Sequence, residues 1–274
     1  MSYLYNIYNI LINIFKFLNT KLFNKSQLIS SVIHNVEFKY NSNITSYEKL
    51  NNFKALKEWC ENLNNKNGIL IHGGTIGPVE ILNVTYFGNN IGFIYLDAKA
   101  KINNNPIPSI SLIRNKCVAV LPLFYNENNI LCAAFVKQFR SSMGLLTIEM
   151  PAGICDGNTL TGQAAQELKE ELNLTVKEND IKWLYENQAT SPGCLNEVTS
   201  LGLVMINNFM EQLPVKKRNK INGVKEEGEF IKTKILELDY ARKTITDMKF
   251  NATIGLIETK IRNGDLELSK LKLS

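Results

Sequence analysis

The stretch Pro151-Ala-Gly-Ile-Cys-Asp-Gly-Asn-Thr-Leu-Thr-Gly-Gln-Ala-Ala-Gln-Glu-Leu-Lys-Glu-Glu-Leu-Asn-Leu174 decides how this chain is read. A short apolar run from Leu145 to Met150 enters it, a glycine-containing loop follows, and helical periodicity extends from about Thr161 to Leu172. On that helix Glu167, Glu170 and Glu171 stand at i, i+3 and i+4, so their side chains share one face. Three like charges so placed repel by about 0.2 to 0.5 kcal/mol per pair, a cost that a divalent cation would reverse. Carboxylate oxygens are natural ligands for Mg²⁺, which keeps some of its waters and binds substrate phosphates. Taken alone, however, glutamates at this spacing are usually a solvated helix face. Their surroundings must decide.

Upstream of the segment the chain is β-rich. Val79 to Phe87 and Ile91 to Ile102 flank a Gly88-Asn89-Asn90 turn, a hairpin signature, and Asn103 to Pro106 reads as a second turn. Strands are expected at Ile110 to Arg114, Val118 to Tyr125 and Ile130 to Phe139. Before them, Leu50, Phe53, Leu56, Trp59, Cys60 and Leu63 recur at spacings of three and four, which predicts one amphipathic helix from Tyr47 to Leu63, with Gly68 beyond it. Downstream, strands are expected at Ile181 to Gln188, Val198 to Ile206 and Glu229 to Leu238. A long loop separates the last two, and a helix from about Asn251 to Arg262 ends at Gly264. This order divides the chain into an extension over 1–45, a helix with a small β-rich unit over 46–112, and a larger mixed domain over 113–274.

Composition narrows the chemistry. With 274 residues, 45% hydrophobic and 21% charged, the chain is an ordinary globular one, which excludes collagen-like, wholly disordered and polytopic membrane classes. The net charge of +5 is too small and dispersed to mark a nucleic-acid binder, although it suits an anionic ligand. Five scattered cysteines without a Cys-x-x-Cys pair argue for a reducing, intracellular setting, either cytoplasm or an organelle. His34 and His72 are the whole histidine complement, so a metal would have to rest on carboxylates. The first thirty residues carry Lys16, Lys21 and Lys25 but no acid before Glu37, and Asn6, Asn9 and Asn13 make a narrow polar stripe. That pattern fits a membrane-surface or partner helix, a targeting segment, or a poorly ordered extension; the uncharged run from Met1 to Phe15 is shorter than the about 20 residues a span needs.

In Glu167, Leu168, Glu170, Glu171 and Leu174, with Gly153 as the opening glycine, the segment resembles the box of the Nudix hydrolases, G-x5-E-x7-R-E-U-x-E-E-x-G-U. It departs from the box at Gln166 in place of arginine, at Asn173 in place of the second glycine, in a loop one residue short, and in lacking the first glutamate near Asn158 or Thr159. Glu149-Met-Pro-Ala-Gly153, Thr190-Ser-Pro-Gly-Cys-Leu-Asn-Glu197 and Lys137-Gln-Phe-Arg140 look like three further motifs of the subgroup that acts on ADP-ribose and sugar nucleotides. The resemblance implies an α/β/α sandwich with mixed sheets, preceded by the small β-rich unit, and a homodimer. It implies that Glu167, Glu170 and Glu171 hold Mg²⁺, or Mn²⁺ in its place, with the main-chain carbonyl of Ala152. Arg140 would pair with the diphosphate of a nucleoside-diphosphate sugar. Gln138, Glu149 and the Ser191, Pro192, Gly193 and Glu197 loop would contact substrate, and Glu227, or failing that Glu229, would activate water. The expected reaction is hydrolysis of ADP-glucose or ADP-ribose to AMP and sugar phosphate. A UDP-sugar pyrophosphatase, a catalytically weak nucleotide-binding protein and a membrane-associated interaction protein stay open beside it.

Overall fold

The computed structural model describes residues 28–155, 159–214, 220–223 and 230–267; residues 1–27 and the loop glutamates Glu226, Glu227 and Glu229 lie outside them. The chain divides into two compact units. One takes the described residues up to Arg114 together with Gly193–Asn196, and the other takes Asn115–Pro192 and the residues from Glu197 onward.

In the first unit β1 (Leu28–Ile33) and β2 (Val36–Asn41) pair antiparallel, followed by α1 (Tyr47–Asn52), α2 (Lys54–Leu63) and β3 (Gly74–Thr75). Then come β4 (Val79–Phe87), β5 (Asn90–Asp97), β6 (Lys101–Ile102), β7 (Asn105–Pro106) and β8 (Ile110–Ile113). The main sheet runs β1-β2-β4-β5-β8, with β2 and β4 parallel, and β3-β6-β7 form a small second sheet. Leu50, Leu56, Cys60 and Leu63 of the helices bury against Phe38, Val79, Ile94, Leu96 and Ile113 of the sheet.

Three features differ from the sequence expectation. Residues 28–41 join the sheet instead of belonging to an extension, because His34 and Asn35 both adopt positive φ (49° and 65°) and close a two-residue hairpin turn. The helix expected over Tyr47 to Leu63 breaks at Phe53 (ψ 106°), whose ring turns into the core; the Asn51-Asn52 pair before it has little helix propensity. His34 Nε2 donates to the Asn51 carbonyl left open at the break (2.9 Å), and His72 Nε2 donates to the Lys66 carbonyl (3.0 Å), so both histidines are spent on backbone. The strand expected over Ile91 to Ile102 is interrupted where the Asp97 carboxylate accepts the Lys99 N–H and Lys99 takes φ 50°.

The second unit contains β9 (Cys117–Tyr125), β10 (Leu131–Arg140), β11 (Leu145–Glu149), β12 (Ala152–Ile154) and α3 (Leu160–Leu172). After α3 follow β13 (Lys182–Ala189), β14 (Val198–Met205), α4 (Phe209–Gln212), β15 (Ile221–Asn222), β16 (Ile231–Glu237), α5 (Leu238–Thr244) and α6 (Met248–Arg262). Its sheet runs β13-β14-β9-β10-β16-β15, with β11 beside β10 and β12 beside β9; β14 and β9 are parallel and the rest antiparallel. Strand β9 is an uninterrupted apolar run because both its faces are covered. Val118, Val120 and Phe124 face Ala164, Leu168 and Leu172 of α3, whereas Ala119, Leu121 and Leu123 share the opposite core with Phe250, Ile254 and Ile257 of α6. This unit is therefore an α/β/α sandwich around a mixed sheet, as expected. Helix α6 begins three residues before its expected start because Asp247 caps it; α5 starts at the residue where the expected strand ends and fills a stretch given no element, and α4 occupies a stretch read as loop.

Among the described residues eight non-glycine positions have positive φ, and six are asparagines: Asn35, Asn103, Asn104, Asn129, Asn173 and Asn187. No described helix is long and apolar enough to cross a membrane. The Phe135 and Phe250 rings meet edge to face at 5.1 Å, both fully buried, where α6 lies on the sheet. Phe250→Ala should therefore cost about 3 to 5 kcal/mol, read as a fall in the urea midpoint at unchanged m-value.

Candidate active site

Helix α3 is fixed at both ends by its own sequence. Thr159 Oγ1 accepts the Gly162 N–H at 3.1 Å, and Asn173 turns the chain left-handed (φ 57°, ψ 33°) so that its N–H reaches the Lys169 carbonyl. With Ala164, Leu168 and Leu172 buried toward the sheet, the acidic residues have little rotational freedom. Glu171 is 3% exposed and its Oε2 accepts the Ala152 N–H at 3.0 Å. Glu167 lies over Gly153 so closely that a Cβ there would fall 1.8 Å from its Oε1, which is why position 153 is glycine. The buried Gln163 amide donates to the same oxygen at 2.7 Å. Glu170 instead accepts from Gln166 Nε2 at 2.8 Å.

Two of the three glutamates are thus laid on consecutive residues of β12, and the third is paired along the helix. Among the described residues no three acidic, cysteine or histidine side chains gather closely enough to hold a metal ion. The donor set nonetheless fits a hard divalent cation: two carboxylates converge on a backbone segment stripped of a side chain, and both are oxygen ligands.

Beside this face stands a second cluster. The Arg140 guanidinium clasps Glu149 side-on, Nε to Oε1 at 2.8 Å and Nη2 to Oε2 at 2.9 Å. Thr147 Oγ1 also donates to Oε1 at 2.5 Å, and Lys249 Nζ approaches Oε2 at 3.4 Å. Asp247 takes the Met150 N–H on Oδ2 and Lys249 on Oδ1. Burial would push the Glu149 carboxyl up, but the donors Arg140 and Thr147 and the nearby Lys249 outweigh it and hold the group at about 2. Arg140 is raised chiefly by its bonds to Glu149, with Glu171 and Asp247 adding to the effect, so the two clusters share one electrostatic field. Burial works against the Lys249 charge, yet Asp247 and Glu149 raise it.

Of the other residues proposed from sequence, Gln138 lies on β10 opposite Thr147, on the same side of the hairpin as Arg140 and Glu149. Ser191 and Pro192 end one stretch of the second unit, while Gly193–Asn196 is counted with the first unit, where the Cys194 carbonyl accepts the Leu112 N–H. Gly193 does not sit in the left-handed region that a tight turn would demand. Glu197 stands against Cys117, whose Sγ is 3.4 Å from Oε2. Lys249, Asp247, Thr147 and Gln163 carry none of the motifs. Only Asp247 had a readable signal, as a helix cap, and the later expected start of α6 concealed it.

Two measurements test this geometry. Gly153→Ala should displace Glu167, the flexible member of the contact, leaving stability within about 1 kcal/mol of the parent while Mn²⁺ affinity falls. A parent-like Mn²⁺ titration would contradict the contact. Because Glu149 is depressed on folding, its stabilisation is complete above the ordinary carboxylate value of 4.5 and is lost as pH falls toward about 2. Glu149→Gln should flatten that acid limb in denaturation midpoints measured across it.

No family model matches the chain. It is 29% identical over 230 residues to "Nudix hydrolase 14, chloroplastic" of Arabidopsis thaliana, an alignment covering 79% of this chain and 74% of that one. A solved structure described as "Crystal structure of ADP compounds hydrolase" aligns with 70% of this chain and 97% of its own, at 16% identity and a TM-score of 0.48. The chain is a Nudix-hydrolase-like protein, similar over most of its length to a plant member of that family.

Proposed function

We propose that this chain hydrolyses the diphosphate bond of a nucleoside-diphosphate sugar, ADP-glucose or ADP-ribose, giving AMP and a sugar phosphate. The observation that carries the reading is the placement of Glu167 and Glu171 on Ala152 and Gly153 within the electrostatic field of Arg140. Similarity to Nudix hydrolase 14 supports the hydrolase class. Glu167, Glu170 and Glu171, with the Ala152 carbonyl, would hold Mg²⁺. Bound there, the cation supplies Lewis acidity and lowers the pKa of water.

The chain's own residues bind and orient. Arg140 pairs with the diphosphate and neutralises the charge it already carries when bound. Glu149 keeps that cation in place, and its low pKa makes it unsuited to carrying a proton at neutral pH. Glu227, or failing that Glu229, is the carboxylate that takes the proton of the attacking water. Water adds to one phosphorus, the bridging oxygen leaves with the other phosphate, and no histidine or cysteine is required. A second reading, a nucleotide binder with little turnover, is favoured by the neutral Gln166 amide on Glu170, where the family places a charged arginine.

The test offers ADP-glucose, ADP-ribose and UDP-glucose side by side to the purified chain with Mg²⁺. AMP is expected from the ADP-sugars, with a loss of at least about a hundredfold in Glu171→Gln. Binding without turnover would establish the second reading, and preference for UDP-glucose would reassign the base.

A further inference from the structure

The site contains a cation that no motif marks. Lys249 lies in the first turn of α6, a hundred residues from Glu149, with its side chain 21% exposed. Its ammonium is 3.0 Å from Asp247 Oδ1 and 3.4 Å from Glu149 Oε2. Asp247 cannot readily follow a moving lysine: Oδ2 accepts the Met150 N–H at 2.9 Å, and Oδ1 also accepts the backbone N–H of Lys249 at 3.1 Å as the helix cap. The ammonium therefore rests on an anchored carboxylate.

Glu149 is the other partner, and its acceptor positions are filled. Oε1 receives Arg140 Nε and Thr147 Oγ1, and Oε2 receives Arg140 Nη2 and Lys249 Nζ. A carboxylate so saturated has little left to offer a substrate, although the family resemblance gives it a substrate contact. The side-on clasp occupies the Nε and Nη2 edge of a rigid planar group, leaving the opposite edge, which carries Nη1, on a side chain that is 42% exposed.

We propose that Lys249 is a positioning residue: tethered by Asp247, it braces Glu149, and Glu149 in turn holds Arg140 with its outer edge presented to a phosphate of the substrate. The role rests on the hydrolase reading above. Without the ammonium, Glu149 would keep Arg140 as its one cationic partner among the described residues, and the guanidinium would be drawn inward to compensate the buried charge. Anion binding would weaken while the metal-side chemistry stayed as it was.

The test compares the full chain with Lys249→Met and Lys249→Arg. ADP-ribose binding is titrated in EDTA, steady-state kinetics are run with Mg²⁺, and the Arg140 Nε–H signal is followed by NMR in the free protein. Lys249→Met is expected to weaken ADP-ribose binding and raise KM about tenfold, with kcat within about twofold and faster exchange of the Arg140 Nε–H. Lys249→Arg is expected to restore all three. A structural staple alone would lower the melting temperature without this split. If Lys249→Met does not fold, Lys249→Gln carries the same comparison. Parent-like KM, binding and Nε–H exchange in the folded variant would overturn the role of Lys249 alone. Failure of the parent chain to turn over either ADP-ribose or ADP-glucose with Mg²⁺ would overturn the hydrolase reading and this role together.

Discussion

The contact between the Glu167 carboxylate and the bare Cα of Gly153 sets the terms for the rest of the second unit. A carboxylate brought onto a strand needs the helix bearing it to have a fixed height and rotation. Leu168 and Leu172 supply these by burying into the sheet, and Thr159 and Asn173 supply them by fixing where the helix begins and ends. One helical turn further along, Glu171 loses nearly all its water and is compensated by the Ala152 N–H. A side chain at position 153 would force the helix outward or Glu167 aside. The continuous burial of β9, with a helix covering each of its faces, is the foundation that keeps β12 still beneath the contact.

The site divides its carboxylates by environment. Glu149 and Asp247 accept several donors and are employed to hold cations and backbone, and the donors around Glu149 keep it ionised. Glu167 and Glu170 accept instead from neutral glutamine amides, which orient a carboxylate without themselves bringing a positive charge to it. A neutral orienting group thus preserves the attraction such a face has for an external cation, at the expense of weaker positioning than a guanidinium gives.

The sequence made the second unit largely legible because its signals are local. An unbroken apolar run such as Val118 to Phe124 announces a strand covered on both faces, and the capped, amphipathic α3 announces a helix together with its acidic face. The expectation failed where long-range packing chose between local options. Phe53 was drawn from a helix into the core, and the turn at Asp97 and Lys99 split one expected strand between two sheets. For the site, the glutamate face was visible in the five consecutive residues Glu167 to Glu171, as was Arg140 through its motif. The Asp247 and Lys249 contribution was not visible, because only the tertiary fold brings the start of α6 against the end of β11. Gln163 was hidden for a different reason: a glutamine one turn before a glutamate has many equally good rotamers until burial selects one.

The asparagines at positive φ have a bearing on what this chain is like when unfolded. Glycine would enter those turns without strain, but it would also widen the denatured ensemble and so increase the entropy surrendered on folding. Asparagine accepts some strain in the left-handed region and keeps the denatured chain narrower. At Asn35, Asn103, Asn104 and Asn173, therefore, part of the stability of the hairpins and of the acidic helix is set by conformations that the unfolded chain does not visit, outside any contact that the folded molecule makes.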